Sequence, residues 1–196
     1  EGAKAILAEA LEQAPDSAAL HAANGDALRE DLTLSEKLAR ASAIGSYDAA
    51  LAKDAGDSAT RLKRAELMRA DDRLDDAAAL LDALPPSDAQ RPRALVTRAR
   101  LAVARGFTEG AEKLAEEARR KLALCHATEL LYETARRRDA VAREDEFAEE
   151  LSRCPGGMQR LADHRRDRGD TAGAIAIWRR LAEAAPARVE PRLFLA

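Results

Sequence analysis

The sequence predicts an all-α fold, an α-solenoid of stacked antiparallel helix pairs. Apolar residues make up 46% of the 196 residues and charged residues 34%, but aromatic residues only 3%. This composition is typical of helices that pack closely through alanine and carry charge on their outer faces. No alternating apolar run of four or more residues is present, so we expect no β-sheet. A spacing of 34 residues separates Ala77 from Ala111 and Ala140 from Ala174, which predicts equivalent positions in repeated units.

The last forty residues contain the clearest repeat. The residues that define it are Met158, Leu161 and Ala162, then Gly169-Asp170, then Ala174, Trp178 and Pro186. This order and spacing resembles one tetratricopeptide repeat, a two-helix unit of about 34 residues, although Arg165 stands where that family has Tyr. The resemblance implies one array over residues 1–196, with about five helix pairs and a partial repeat at each end. It also implies a right-handed superhelix whose first helices line the concave face.

The same pattern predicts a succession of helices along the chain. They cover residues 3–14, 18–30, 59–70, 74–84, 92–105, 108–121, 122–136, 140–152 and 189–196, in addition to the repeat above. Segment 34–54 fits either one long helix or a helix broken near Gly45. Pro85-Pro86 ends the helix before it, because proline lacks a donor and clashes with the preceding turn. Gly25 is predicted to be the close-packing residue of its helix.

Both ends of the sequence fall inside a repeat. Residues 1–11 and 193–195 carry apolar side chains where a solenoid end needs polar capping residues. We therefore expect a fragment of a longer protein, in which end-to-end self-association is possible. The N-terminus of the full protein is not visible, and a cytoplasmic location is favoured.

The charge balance excludes several classes of partner. The net charge is −3, with 32 basic and 35 acidic residues, which gives no electrostatic reason to expect nucleic acid or an anionic membrane. Nothing approaches the roughly 18 consecutive apolar residues of a spanning helix, so we expect no membrane insertion. Short arginine clusters lie beside acidic runs, which favours a solvated face.

Cysteine and histidine provide no recognisable reaction centre. Cys125 and Cys154 lack the paired spacing of a zinc site, and we expect them to be small packing residues. A disulfide would need opposed Cβ atoms within about 4.5 Å, so we do not assume one. His21, His126 and His164 have no nucleophile with an orienting carboxylate in a known motif, so we expect packing or solvated histidines. The sequence therefore predicts no catalytic residues, no metal site and no cofactor.

Acidic pairs at the start of one helix could suggest a cation site. They are Asp71-Asp72 and Asp75-Asp76. Carboxylates are favoured near the positive end of a helix dipole, so the helix start explains them without an ion.

A recurring acid and arginine mark one face of the first helices. Asp26, Glu66 and Asp163 each precede an arginine by three residues. If this face is the concave one, as the resemblance implies, arginine forks and carboxylates could bind the backbone and charged groups of a ligand. The alternative is that each pair only supports its own helix. The predicted partner-binding residues are Asp26, Arg29, Glu66, Arg69, Arg93, Arg100, Glu129, Tyr132, Gln159, Asp163 and Arg166.

Together these observations predict a non-catalytic protein-protein interaction scaffold that binds a peptide or partner protein on the concave face. Several acids on that face would repel a C-terminal carboxylate, so we do not expect a carboxylate clamp. The alternative function is a regulatory or substrate-docking segment of a larger multidomain enzyme.

Overall fold

The computed structural model describes residues 2–121 and 124–184, and every regular element in these ranges is a helix. The helices are α1 (Gly2–Gln13), α2 (Ala18–Arg29), α3 (Glu36–Lys53), α4 (Ser58–Ala70), α5 (Leu74–Asp82), α6 (Pro86–Ala89), α7 (Pro92–Ala104), α8 (Thr108–Arg120), α9 (Leu124–Arg137), α10 (Val141–Leu151), α11 (Gly157–Asp167) and α12 (Thr171–Ala184). The all-α prediction is confirmed over the described residues.

Two local features answer questions that the sequence left open. The segment around Gly45 forms one continuous helix, α3, and Gly45 lies exposed within it. The short helix α6 was not predicted, and it begins at Pro86 because proline suits the first helical position. Pro186, residues 193–195 and the helix predicted over 189–196 lie outside the described ranges.

The chain divides into two compact units, residues 1–106 and 107–196. Unit 1 contains α1 to α7, and its helix pairs are α2 with α3 and α4 with α5. Unit 2 contains α8 to α12, and its helix pairs are α9 with α10 and α11 with α12. Within each pair the two helices are in contact and joined by a short connection.

The packing of unit 1 centres on the contact between Gly25 and Tyr47. The Tyr47 side chain is fully buried, and a Cβ at position 25 would lie 2.5 Å from Tyr47 Cε1. Glycine is therefore required there, which confirms the predicted close-packing role. Ser17, Ser35 and Asp57 cap α2, α3 and α4 by accepting hydrogen bonds from backbone N–H groups of the first turn.

The packing of unit 2 centres on Trp178, which is 2% exposed. Its core cluster consists of Ala148, Leu161, Ala162, Ala174, Ile177 and Trp178, with Tyr132, Met158 and Leu181 partly buried against it. The repeat positions predicted at Leu161, Ala162, Ala174 and Trp178 are therefore confirmed as core residues.

Five residues lie in the left-handed region, and four of them stand in the turn between a first helix and the second helix that follows it. The φ angles are 59° at Asp72, 80° at Gly106, 52° at Asp139 and 83° at Gly169. Glycine adopts this conformation at no steric cost, and aspartate tolerates it better than most residues. From their numbers, these residues lie 34, 33 and 30 positions apart, so the repeat shortens along the chain.

This shortening makes one predicted equivalence wrong. Ala77, Ala111 and Ala174 are all buried and are each the fourth residue of their helix. Ala140, however, only precedes α10, and the fourth residue of α10 is Glu144. The position equivalent to Ala174 is therefore occupied by a carboxylate.

The prediction that both cysteines are only packing residues is also wrong. Cys125 in α9 and Cys154 in the turn before α11 form a disulfide, with their Cα atoms 5.7 Å apart. The chain between the two cysteines, which are 29 positions apart, folds into the α9–α10 pair and returns to the start of α9. Sequence spacing does not reveal this approach, because it depends on where both helices end.

Candidate functional site

The predicted partner-binding residues lie on one face of the first helices, α2, α4 and α7 in unit 1 and α9 and α11 in unit 2. We call it the first-helix face and describe it separately in each unit. Each of these helices has a buried close-packing residue, namely Gly25, Ala65, Ala99, Thr128 and Ala162. The next residue in each helix is half-buried, and these residues are Asp26, Glu66, Arg100, Glu129 and Asp163. The buried close-packing residues therefore determine which way the first-helix face is oriented on each helix.

Asp26 is held by two neighbours in unit 1. The Tyr47 hydroxyl donates to Asp26 Oδ1 at 2.7 Å, and Lys63 Nζ donates to Asp26 Oδ2 at 2.5 Å. Partial burial raises the pKa of Asp26, but the hydrogen bonds from Lys63 and Tyr47 outweigh burial and hold that pKa below its ordinary value. Asp26 thus joins α2 to α4 as a carboxylate.

Glu66 and Glu129 reach the next first helix in the same way. Thr97 Oγ1 donates to Glu66 Oε1 at 3.1 Å in unit 1, and Arg160 forms an ion pair with Glu129 in unit 2. Lys63, Thr97 and Arg160 each lie three residues before Glu66, Arg100 and Asp163, the next members of the series. In all three contacts the acid therefore reaches the residue three positions before the next member of the series. We call these contacts, Asp26–Lys63, Glu66–Thr97 and Glu129–Arg160, the rungs.

The arginines of the predicted face are paired less uniformly. Arg166 lies 3.1 Å from Asp163 in its own helix, as the i, i+3 pattern predicts. Arg29 instead bonds Glu30 at 3.3 Å, and Arg100 lies 3.9 Å from Glu66. Among the ion pairs of the described residues, none involves Arg69 or Arg93. Gln159 is half-buried at the start of α11.

Charge differs between the two first-helix faces. In unit 1 the basic residues are Arg29, Lys63, Arg69, Arg93 and Arg100, and the acidic ones are Asp26 and Glu66. In unit 2 the basic residues are Arg160 and Arg166, and the acidic ones are Glu129 and Asp163. The face of unit 1 is therefore basic, and that of unit 2 is balanced.

Tyr132 leads to a cluster that the sequence analysis missed. Its hydroxyl lies 3.3 Å from Nδ1 of His164, and the two rings meet edge to face with centroids 5.7 Å apart. His164 is 5% exposed and is surrounded by Glu144, Asp145 and Arg168. The signal available in the sequence was Glu144, which breaks the alanine pattern once α10 is placed correctly. We call these five residues the histidine cluster.

The acidic residues at the start of α5 are ion-paired rather than grouped around a cation. Asp71 bonds Arg40 at 2.6 Å, Asp75 bonds Arg105 at 2.5 Å, and Asp76 lies 2.6 Å from Arg73. Over residues 2–121 and 124–184 no three His, Cys, Asp or Glu side chains converge as metal ligands.

No helix in the described ranges combines the length and apolar character needed to cross a membrane.

Helix pairs repeated with one register define an α-helical repeat protein. The family model of the tetratricopeptide repeat matches residues 39–101, from α3 to α7. The predicted tetratricopeptide family is therefore confirmed over residues 39–101, and the pattern at Met158–Pro186 stays a resemblance. No protein of curated function matches the sequence.

Solved structures share the fold at low sequence identity. PilF of Pseudomonas aeruginosa is 16% identical with a TM-score of 0.66, covering 96% of this chain and 86% of its own. PilW, a type IV pilus biogenesis factor, is 14% identical with a TM-score of 0.74, covering 98% and 89%. Yeast Tom70 is 17% identical with a TM-score of 0.65. The match covers 96% of this chain but only 40% of Tom70. At these identities the likeness shows a shared helical-repeat fold.

Proposed function

We propose that this chain is a non-catalytic scaffold that binds a peptide or an extended segment of a partner protein on its first-helix faces. The observation that carries the proposal is the pairing of the acids. Asp26, Glu66 and Glu129 are satisfied by the rungs within the chain. Because the rungs occupy these acids, Arg69 and Arg93, which enter none of the ion pairs of the described residues, remain as donors for a partner.

The face of unit 1 favours a partner segment that contains carboxylates. Its acids are already neutralised by Lys63 and Arg100, so they oppose an incoming carboxylate less than the sequence suggests. Arg69 and Arg93 enter no ion pair among the described residues, and guanidinium groups bind carboxylates as bidentate forks. Electrostatic complementarity of this kind guides the choice and orientation of a partner.

An apolar cleft adjoins the same face. Its apolar lining includes Leu34, Ala39 and Leu67, with Leu32 almost fully exposed. Its charged lining is mixed and consists of Arg29, Glu30, Asp31, Glu36 and Arg40. The cleft therefore supports an apolar anchor in the partner segment, whereas the preference for carboxylates rests on Arg69 and Arg93.

The test is a triple substitution on the face with a charge-matched control. Arg29→Ala, Arg69→Ala and Arg166→Ala remove three face arginines. Arg120→Ala, Arg179→Ala and Arg180→Ala remove three exposed arginines from the second helices α8 and α12. Partner capture by the intact protein is measured by pulldown with quantitative mass spectrometry, and folding by helical circular dichroism.

We expect the face variant to lose at least about tenfold in capture of specific partners, because each charged hydrogen bond contributes about 1.5 kcal/mol or more. The control variant should capture them as the unchanged protein does. Equal capture by both variants, with helicity preserved, would assign the acid and arginine pattern to helix support alone.

A further inference from the structure

A buried carboxylate interrupts the alanine pattern of the second helices. Glu144 is 8% exposed and stands where Ala77, Ala111 and Ala174 pack in the other second helices. Burying a carboxylate costs free energy unless charged partners surround it. The partners of Glu144 therefore explain why it is tolerated and what it does.

Two basic side chains of α11 surround the acids of α10. Arg168 donates to Glu144 Oε2 at 2.6 Å, and its Nε lies 3.6 Å from Asp145 Oδ1. His164 Nε2 lies 2.8 Å from Asp145 Oδ1, and His164 Nδ1 lies 3.4 Å from Glu144 Oε1. Two carboxylates and one guanidinium leave one negative charge, which a protonated imidazole would balance.

His164 Nδ1 has two alternative partners. In the neutral ring with the proton on Nε2, Nδ1 is an acceptor, and the Tyr132 hydroxyl at 3.3 Å can donate to it. In the protonated ring Nδ1–H is a donor, and the Glu144 carboxylate can accept from it. The Tyr132 hydroxyl then keeps its proton but has no acceptor on the ring, so it can donate to another group. Burial, followed by the nearby Glu144, raises the pKa of the Tyr132 hydroxyl, so it stays protonated in both states.

We propose that His164 is a proton-operated switch of the first-helix face in unit 2, whose protonation releases the Tyr132 hydroxyl as a hydrogen-bond donor for a partner. The groups that face the ring are Tyr132 from α9, Glu144 and Asp145 from α10, and Arg168 from α11 itself. Arg136 and Asp167 form an ion pair at 3.7 Å between the same helices, α9 and α11. The link to partner binding rests on the proposed function, because Tyr132 belongs to the proposed face.

The switch can be tested without a partner. The probe is pH itself, varied from about 5 to 8, the range in which histidine changes charge. Nitrogen-15 spectra of the histidine rings of the intact chain report the tautomer, and the emission of Trp178 reports the core that Tyr132 shares. We expect the Nε2–H tautomer of His164 at the upper end and a doubly protonated ring at the lower end. The emission of Trp178 should follow the same transition.

Conservative variants separate a switch from a merely structural contact. Tyr132→Phe keeps the ring but removes the donor to neutral His164, so the midpoint of the transition should rise by about 0.5 to 1 pH unit. Tyr47→Phe, whose hydroxyl bonds Asp26 in unit 1, should leave it unchanged. His164→Gln should abolish the emission change, whereas His21→Gln and His126→Gln should retain it.

A His164 ring that keeps one state over this range in the folded chain would overturn the switch. An unmoved midpoint in Tyr132→Phe would overturn it too. Either result leaves the arginine-dependent capture of partners untouched, so the switch and the proposed function fail separately.

Discussion

The two units build the same helix pair with different ties between neighbouring helices. Unit 1 joins α2 to α3 through the tight contact of Gly25 with Tyr47, and α2 to α4 through Asp26. Unit 2 joins α9, α10 and α11 through a disulfide and the histidine cluster. The repeat therefore specifies where neighbouring helices meet, but it does not specify which interaction joins them. Among the described residues, a disulfide and a buried histidine tie helices together only in unit 2.

The disulfide should provide the largest of the differences between the units. Replacing Cys125 and Cys154 together by serine should lower the free energy of unfolding of unit 2 by about 2 to 4 kcal/mol, since the bond restricts a loop of the unfolded chain. Urea unfolding followed by Trp178 emission measures this, because Trp178 is buried in unit 2. Reductant should weaken the unchanged protein and leave the double variant unaffected. Equal stability with and without reductant would show that the bond does not form in solution.

The glycine contact offers the matching test in unit 1. Gly25→Ala places a Cβ 2.5 Å from the Tyr47 ring and should destabilise unit 1 by about 1 to 3 kcal/mol through overpacking. Gly45→Ala in α3 meets nothing within 4 Å and should stabilise by about 0.5 to 1 kcal/mol, because alanine favours a helix.

Thermal unfolding followed by circular dichroism separates the two glycine variants. Both make the same chemical change, so opposite signs would assign the effect to the Tyr47 ring. A loss of stability in both variants would indicate that backbone geometry, not the ring, sets the requirement for glycine.

Helix positions and core residues were predictable because they depend on local patterns. The small close-packing residue of the first helix and the large apolar residue of the second recur at helical spacing, and Trp178 is buried where that spacing places it. Gly25 was predictable for the same reason. The continuous helix α3 was not, because an exposed glycine in a helix resembles a break in sequence.

The ties between helices were not predictable from the same patterns. The i, i+3 rule correctly pairs Asp163 with Arg166, but Asp26 pairs with Lys63, 37 residues away. Such contacts depend on the register between helices, and the spacing of the turn residues falls from 34 to 30 along the chain. Because of the same shortening, the 34-residue spacing did not place Glu144 at the alanine position and did not predict that Cys125 and Cys154 lie close together.

The smallest predicted effect is a difference in stability between two substitutions, each made at the acid that follows a close-packing residue, one in each unit. Asp26→Asn removes the charge that accepts from Tyr47 and Lys63, and should cost about 1 to 2 kcal/mol after allowance for its partial exposure. Asp163→Asn removes only an i, i+3 partner of Arg166 and should cost a few tenths of a kcal/mol, about 0.3. Urea unfolding at neutral pH measures both values. Equal costs would contradict the difference in ties between the units.

Acid pH should remove the difference in cost between Asp26→Asn and Asp163→Asn, and the lowered pKa of Asp26 determines the pH range in which this happens. Its pKa is lowered in the folded chain from an ordinary value of 3.8, so its stabilising contribution is fully present above that value. The contribution is lost as pH falls through the lowered folded pKa, because protonation then favours the unfolded chain. The cost of Asp26→Asn should therefore be constant from neutral pH down to about pH 5 and shrink below about pH 4. A cost that stays constant through this acid range would mean that Asp26 acts through its shape and not through its charge.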